Sequence, residues 1–399
     1  MVVLSTKEVI LIMNKIKTLW NKICILFCSI RRRKSESYND VVLLCFFGLL
    51  GDAIMFLDVL DEFQELQKKR GMKLVVVCRK SLIGLFQKVG LSDILYEELD
   101  RDRFFSDYKY FKKGIRQLNR YKAKELYHVR ASFAIEDLFL HAVDCKRKVC
   151  IRGNDVVNEQ KRLFSYFIHH TYDEIIWVDD KTDQLTRYGE VLKKYGLPNY
   201  RSKVYELNKG RPPFDLKEKQ YIAVFPGASS VKKTWPIEKF IDCVLYMLDH
   251  TQYQIVLAGS EIDIELSCFI QERVCNNRIL NVTGKTTIDE WFALIGNARM
   301  ILCNESGAVH VAAALKVPSV CVGAQEFGDS FLPYHPELIR SNDRLPVVIR
   351  SKRMECYYCR KAKRYITTSG KTCYLDNGHF QCLNNISSKM VIEAINSVL

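Results

Sequence analysis

No apolar run in this 399-residue chain approaches the roughly 20 residues that a membrane-spanning helix needs. A dinucleotide-binding Gly-x-Gly-x-x-Gly turn is also missing. The nearest approach, Gly48-Leu49-Leu50-Gly51, has the wrong spacing, which argues against a nicotinamide- or flavin-dependent oxidoreductase. No DNA- or RNA-binding motif accompanies the basic residues, which are scattered, so nucleic acid is not expected as a partner. The N-terminal apolar stretch is short, ends in Arg31-Arg32-Arg33-Lys34 and lacks a small-residue cleavage site, which argues against a signal peptide. What the chain does have is length for two or three domains, 48% hydrophobic residues and a formal charge of +14. That charge favours anionic partners, an anionic lipid surface among them. Fifteen cysteines without a signal peptide point to a reducing compartment. A cytoplasmic protein, peripheral on the inner face of the cytoplasmic membrane, is the expectation.

Three segments carry chemistry. Met300-Ile301-Leu302 leads into Cys303-Asn304-Glu305-Ser306-Gly307-Ala308-Val309-His310, and Pro318–Gly323 follows, which reads as strand, polar turn, helix, strand. A helix that opens at a small hydroxyl residue and a glycine offers unpaired N–H groups and partial positive charge to a phosphate. His310 falls one turn further on. The same pattern also fits a plain cap with a core-facing histidine. In the second segment the strand Tyr221–Phe225 ends in Pro226-Gly227-Ala228-Ser229-Ser230, then Lys232-Lys233-Thr234-Trp235-Pro236 opens a helix. Its lysines suit a diphosphate or simply a solvated loop. In the third, the run Val41–Phe47 ends in Gly48-Leu49-Leu50-Gly51-Asp52. Asp52 stands where open α/β sheets hold ligands, or else caps the helix.

In this order and spacing the segments resemble glycosyltransferase family 9, the ADP-heptose:lipopolysaccharide heptosyltransferase family. The residues that carry the resemblance are Gly51-Asp52, Pro226-Gly227-Ala228, Lys233-Thr234-Trp235-Pro236, Glu305-Ser306-Gly307 with His310, Ala313, Ala314 and Pro318, and the segment Asn281–Thr287. Two positions depart from the family pattern: Glu305 replaces an aspartate and Asp58 replaces a proline. Strand-helix alternation in both halves gives two Rossmann-like domains. The resemblance implies the α/β GT-B fold, with the two domains facing a cleft, the acceptor on the first and the donor on the second. It implies an inverting, metal-independent transfer of heptose or a related sugar, from ADP-heptose or a similar nucleotide-sugar to lipopolysaccharide or another glycolipid or glycan acceptor. Asp52 is then the general base. Ser229, Ser230, Lys233, Glu305, Ser306, Gly307 and His310 attend the donor, Glu261 lies near its ribose, and no cofactor is expected. A catalytically inactive sugar- or glycolipid-binding protein of the same fold is the alternative.

The expected organisation is a basic amphipathic helix over 1–38, a first domain over 39–202, a linker over 203–219, a second domain over 220–386 and a final helix over 387–399. The resemblance implies that this last helix crosses back to the first domain. Ile16, Leu19, Trp20, Ile23, Leu26, Phe27 and Ile30 recur at helical spacing among Lys15, Lys17 and Lys22, a pattern for an anionic membrane interface or for packing on protein. Met13 precedes that stripe and is an alternative start. Expected strands are Asp40–Phe46, Lys73–Cys78, Glu125–Val129, Arg147–Ile151, Tyr221–Phe225, Gln254–Ala258, Ile279–Val282, Met300–Cys303 and Ser319–Val322. Cys356, Cys359, Cys373 and Cys382 have spacing for zinc, for cysteine pairing or for free thiols.

Overall fold

Apolar runs bounded by polar turns become parallel strands here, because helices cover both faces of each sheet and continuous Val/Ile/Leu stretches are what such burial selects. The computed structural model of the chain describes residues 21, 23–28, 34–104, 106–129, 135–153, 170–179, 182–229, 233–325, 330–335, 338, 344–354 and 380–399. It divides into two compact units. The first holds the described residues of Met1–Leu49, Val59–Thr182 and Arg187–Tyr200; the second holds Leu50–Asp58, Asp183–Thr186 and Arg201–Leu399. The opening turns of the first long helix therefore group with the second unit, not with the first as the strand-helix alternation suggests.

Along the first half run helix α1 (residues 21 and 23–28), β1 (Asn39–Cys45), α2 (Leu50–Lys69), β2 (Lys73–Cys78), α3 (Lys80–Lys88), β3 (Leu95–Glu98), α4 (Tyr108–Asn119), β4 (Ala123–His128), α5 (Ile135–Ala142), β5 (Cys145–Gly153), β6 (Glu174–Val178) and α6 (Gln184–Lys194). The strands form one parallel sheet in the order β3-β2-β1-β4-β5-β6, with Leu43 of β1 in register with Val75 on one side and Leu126 on the other. The second half has β7 (Tyr221–Phe225), α7 (Ile237–His250), β8 (Gln254–Leu257), α8 (Ile264–Val274), β9 (Ile279–Asn281), α9 (Ile288–Asn297), β10 (Met300–Asn304), α10 (Gly307–Ala314), β11 (Ser319–Val322), β12 (Val347–Ile349), α11 (Gln381–Asn384) and α12 (Ser388–Val398). Its sheet runs β12-β11-β10-β7-β8-β9, also parallel. Counted from its own first strand, each sheet has the order 3-2-1-4-5-6, so strand order reverses between β1 and β4 in one and between β7 and β10 in the other.

All nine expected strands form. The three that the sequence reading passes over, β3, β6 and β12, are all edge strands. β3 mixes charge into its pattern, Leu95-Tyr96-Glu97-Glu98, and so lacks an apolar signature, whereas β6 and β12 are brief apolar runs that stay half-buried at the sheet edge.

Three segments take definite places. Segment 203–219, the expected linker, is packed along its length: Val204, Leu207 and Leu216 are buried, the Leu207 N–H donates to Ala314 O at 2.9 Å, and that of Lys219 to Asn297 O at 2.8 Å. The Asp58 carboxylate, where the family pattern has proline, accepts from the Lys203 N–H at 2.9 Å and ties the start of this segment down. Val391, Ala394 and Ile395 of the last helix, α12, share the second unit's core with Ile222, Phe240, Leu302 and Val320. An apolar stripe with a partner on its own sheet stays there. Finally, α1 is not an independent element, since Ile25 is buried in the first unit's core with Val41, Leu43, Phe111 and Leu118. The rest of the 1–20 stretch and Arg31–Arg33 lie outside the described residues.

Candidate active site

The second sheet's reversal point is built from β7 and β10, neighbours whose C-terminal ends emit the two loops that the sequence singles out. Asn304 ends β10, fully buried. Its Oδ1 accepts from the Trp235 N–H at 2.9 Å, and its Nδ2 donates to Pro226 O at 2.7 Å and Gly227 O at 3.2 Å. One amide thus fixes the loop after β7 at both ends, and so fixes Lys233, two residues before Trp235. The indole is buried as well and donates to Ile386 O at 3.1 Å. Ser229 is exposed on this loop; Ser230 and Lys232 lie outside the described residues.

Directly after Asn304 and Glu305, Ser306 occupies the N-cap of α10 in an extended conformation, yet its hydroxyl makes no cap hydrogen bond. A serine at that position ordinarily caps. Here the first turn's N–H groups and the hydroxyl remain for something else. The start of α2 meets the start of α10 at this point: a methyl group on Gly51 would stand 3.4 Å from Gly307 Cα and 3.2 Å from His310 Cδ2, and one on Gly307 would stand 3.5 Å from the Gly51 nitrogen. Two helix N-termini, with their like partial charges, face each other. Asp52, half-buried, stands in the first turn of α2 beside this contact.

His310 is buried and shares a 2.6 Å hydrogen bond through Nδ1 with the Tyr334 hydroxyl. Burial brings its pKa down to about 4, so the ring is neutral at ordinary pH and supplies orientation or a hydrogen bond rather than charge. The Glu305 carboxylate, one methylene longer than an aspartate, turns to Arg350, 3.4 Å away, and Arg350 also donates to Leu332 O at 2.8 Å. Glu305 therefore braces the turn from outside. At the end of β8, Glu261 is exposed, while Asp263 two residues on is buried and accepts from the Ser260 N–H at 2.8 Å and hydroxyl at 2.7 Å. Its Oδ1 lies so close to Gly227 that a Cβ there would fall 1.9 Å away, which only glycine permits. Asp52, Lys233, Glu305, Ser306, Gly307 and His310 are thus gathered on or beside the β7–β10 edge; Ser229 and Glu261 stand at its exposed margin.

Residues 153–358, just over half of the chain, match the family model of glycosyltransferase family 9 (heptosyltransferase). The chain belongs to glycosyltransferase family 9. Over 188 residues it is 27% identical to the lipooligosaccharide heptosyltransferase 2 of Haemophilus influenzae, a stretch covering 46% of this chain and 49% of that one. The chain spans about half the length of the curated relatives it matches. Among solved structures it resembles a family 9 glycosyl transferase from Veillonella parvula, with a TM-score of 0.64, 17% identity, and 92% and 99% of the two chains covered. The Escherichia coli ADP-heptose lps heptosyltransferase II gives a TM-score of 0.62 at 18% identity, covering 90% and 98%. The fold of this family 9 chain is accordingly GT-B.

Some residues that build the family 9 site carry no motif signal. Asn304 and Arg350 are such cases, although a polar residue closing the otherwise apolar β10 is itself a hint. The first unit hides another group at the C-terminal ends of β4 and β5. Fully buried Arg152 and Tyr172 both bond Asp137 Oδ1, and His128 Nδ1 lies 2.9 Å from the Tyr172 hydroxyl and 3.4 Å from Asp137. Burial opposes the Asp137 charge, but Arg152, His128 and Tyr172 outweigh it and hold the carboxyl at about 2. Among the described residues no cluster of His, Cys, Asp or Glu fits a metal ion, and Cys382 accepts instead from the Gln325 N–H at 3.4 Å. Cys356, Cys359 and Cys373 lie outside the described residues.

Proposed function

We propose that this family 9 chain is an inverting glycosyltransferase that moves heptose or a related sugar from an ADP-heptose-like donor to a lipopolysaccharide or other cell-surface glycan acceptor. One observation carries this reading: the start of α10, with its first-turn N–H groups and uncapped Ser306 hydroxyl, opens at a sheet's reversal point beside Gly51 and Asp52. Backbone donors at a helix start bind a diphosphate without needing a divalent ion. The names of the curated and solved relatives, heptosyltransferases acting on lipopolysaccharide or lipooligosaccharide, support the same substrate class.

In the reaction the Asp52 carboxylate accepts the proton of an acceptor hydroxyl. The hydroxyl oxygen bonds to the anomeric carbon from the side opposite the diphosphate, and the carbon–oxygen bond to that diphosphate breaks. General base catalysis of this kind contributes about 10²–10⁴ in rate. The leaving diphosphate keeps the bonding pair. Its added charge meets the Gly307 end of α10, the Ser306 hydroxyl and Lys233, donors whose positions are set before the charge appears. Neutral His310, held by Tyr334, orients the donor, and Glu261 faces the ribose. Such an acceptor is lipid-anchored, so the enzyme works at the anionic inner face of the cytoplasmic membrane.

The test is transfer with a panel of nucleotide-sugars on a lipopolysaccharide-core acceptor, following release of the nucleoside diphosphate. Turnover with the ADP-linked sugar above the uridine-, guanosine- and thymidine-linked ones is expected. Donor binding without any turnover would instead identify an inactive sugar-binding protein.

A further inference from the structure

We propose that α1 and α4 together form the face by which this protein docks on an anionic lipid bilayer. The proposal deepens the membrane location in the function reading and says which surface makes the contact. The sequence leaves the N-terminal stripe open to a membrane interface or to packing on protein, and the described part packs on protein along one side. Ile25 is sunk in the first unit's core, and Leu26 and Cys28 pack against it. The Asn21 side-chain amide donates to Ser106 O at 2.8 Å, and the Cys28 thiol to the Tyr108 hydroxyl at 3.5 Å. These contacts clamp α1 beside the start of α4. Clamped this way, it turns Ile23 and Phe27, one turn apart, outward; Phe27 is 67% exposed. A largely exposed phenylalanine beside a second, partly exposed apolar side chain is a wedge without a protein partner among the described residues.

The neighbouring helix supplies charge. Tyr108–Asn119 contains no acidic residue, and Lys109, Lys112, Lys113 and Arg116 are all exposed. At 100° per residue these four fall within about a quarter-turn of the helix surface, opposite buried Phe111, Gly114 and Leu118. None has an acidic partner among the described residues, and the carboxylate at the helix start, Asp107, is taken by Arg103 at 2.7 Å. Tyr108 links the two parts, touching Cys28 on α1 and lying 5.9 Å under the Lys112 ammonium. Outward apolar side chains flanked by unpaired cations match the layered chemistry of a bilayer surface, where acyl chains lie beneath phosphates. A nucleic acid would leave Phe27 and Ile23 in water, and an acidic protein would need a matching apolar pocket.

The experiment is co-sedimentation of the full chain with phosphatidylcholine vesicles, with and without phosphatidylglycerol, at low and high salt. It uses no donor or acceptor, so a failed transfer assay leaves it standing, and a failed docking leaves the transferase reading standing. Wild-type protein is expected to bind only vesicles containing phosphatidylglycerol, more weakly at high salt. Lys112→Glu should cut partition more than tenfold, from roughly fivefold per unit of charge near such a surface. Phe27→Ser should cut it severalfold at both salts. Lys389→Glu, on α12, is the matched control and should leave it unchanged. Each variant alters an exposed side chain, and its thermal unfolding checks that it is folded. Absence of wild-type binding, no loss in Lys112→Glu, or an equal loss in Lys389→Glu, which would make net charge the cause, overturns the proposal.

Discussion

The two sheets share a strand order, yet the C-terminal ends of neighbouring strands, β4 and β5 in one and β7 and β10 in the other, are furnished in opposite ways. At the C-terminal ends of β4 and β5 the first unit buries a full set of charges, Arg152 against Asp137 with His128 and Tyr172 around them. At β7 and β10 the second unit has a neutral amide, glycines, a serine and the open start of a helix. The Arg152–Asp137 ion pair is fully buried and ties α5 to β5. The start of α10, whose N-cap serine makes no cap hydrogen bond, is open by contrast. The same topology thus carries a buried ion pair in one unit and an open helix start in the other.

Breaking the first arrangement should cost the most. Arg152→Leu leaves the Asp137 carboxylate buried without its main partner and should destabilise the first unit by about 3–5 kcal/mol, read by denaturant unfolding. Ser306→Ala, at the equivalent edge of the second sheet, should leave stability unchanged because the hydroxyl caps nothing. The sign with pH follows. Asp137 is held at about 2 when folded, below its ordinary value, so its contribution is complete above pH 5 and is lost as pH falls toward 2. His310, lowered to about 4, acts in the same direction between pH 6.5 and 4, because the unfolded chain takes up a proton there that the folded one refuses. Melting temperature should decline steadily through that range.

Next in size is Asp52→Asn, which should lower kcat at least a hundredfold, about 3 kcal/mol in the barrier, with donor affinity nearly intact. Full turnover in that variant would return Asp52 to a capping role. Asn304→Ala tests the neutral side of the comparison more gently. It strands the Trp235 N–H and two loop carbonyls and should cost about 1–3 kcal/mol of stability, with donor binding weakened because Lys233 loses its fixed position. The smallest effect belongs to Lys233→Ala. Nucleoside diphosphate affinity should fall about tenfold and nucleoside affinity hardly at all, while Lys232→Ala does less. Equal losses from the two lysines would mean a diffuse basic loop.

Much of this was legible in the sequence because interior parallel strands are apolar throughout and helix starts announce themselves with small residues. The nine strands and the loops at Gly51-Asp52, Pro226-Gly227 and Ser306-Gly307 were found that way. Edge strands β3, β6 and β12 were not: β3 carries charge in its pattern, and β6 and β12 are brief, half-buried apolar runs. Asn304 and Arg350 were missed because their roles depend on partners 45 to 78 residues away. The buried set at Asp137 was missed for the same reason: Arg152 looks in sequence like one more cation in Lys146-Arg147-Lys148. The N-terminal stripe shows the reverse case. Its period was visible, but not that Ile25, off the stripe, is the residue that enters the core. A truncation at Ser35 would therefore remove core packing as well as a surface.

The most direct measurement is a crystal structure of the protein with ADP. The account predicts the diphosphate at the start of α10, within hydrogen-bonding distance of the Gly307 N–H and the Ser306 hydroxyl, with Lys233 on its other side. A diphosphate held anywhere else, at the ends of β4 and β5 for instance, or turned so that the adenine occupies the α10 start, would contradict it.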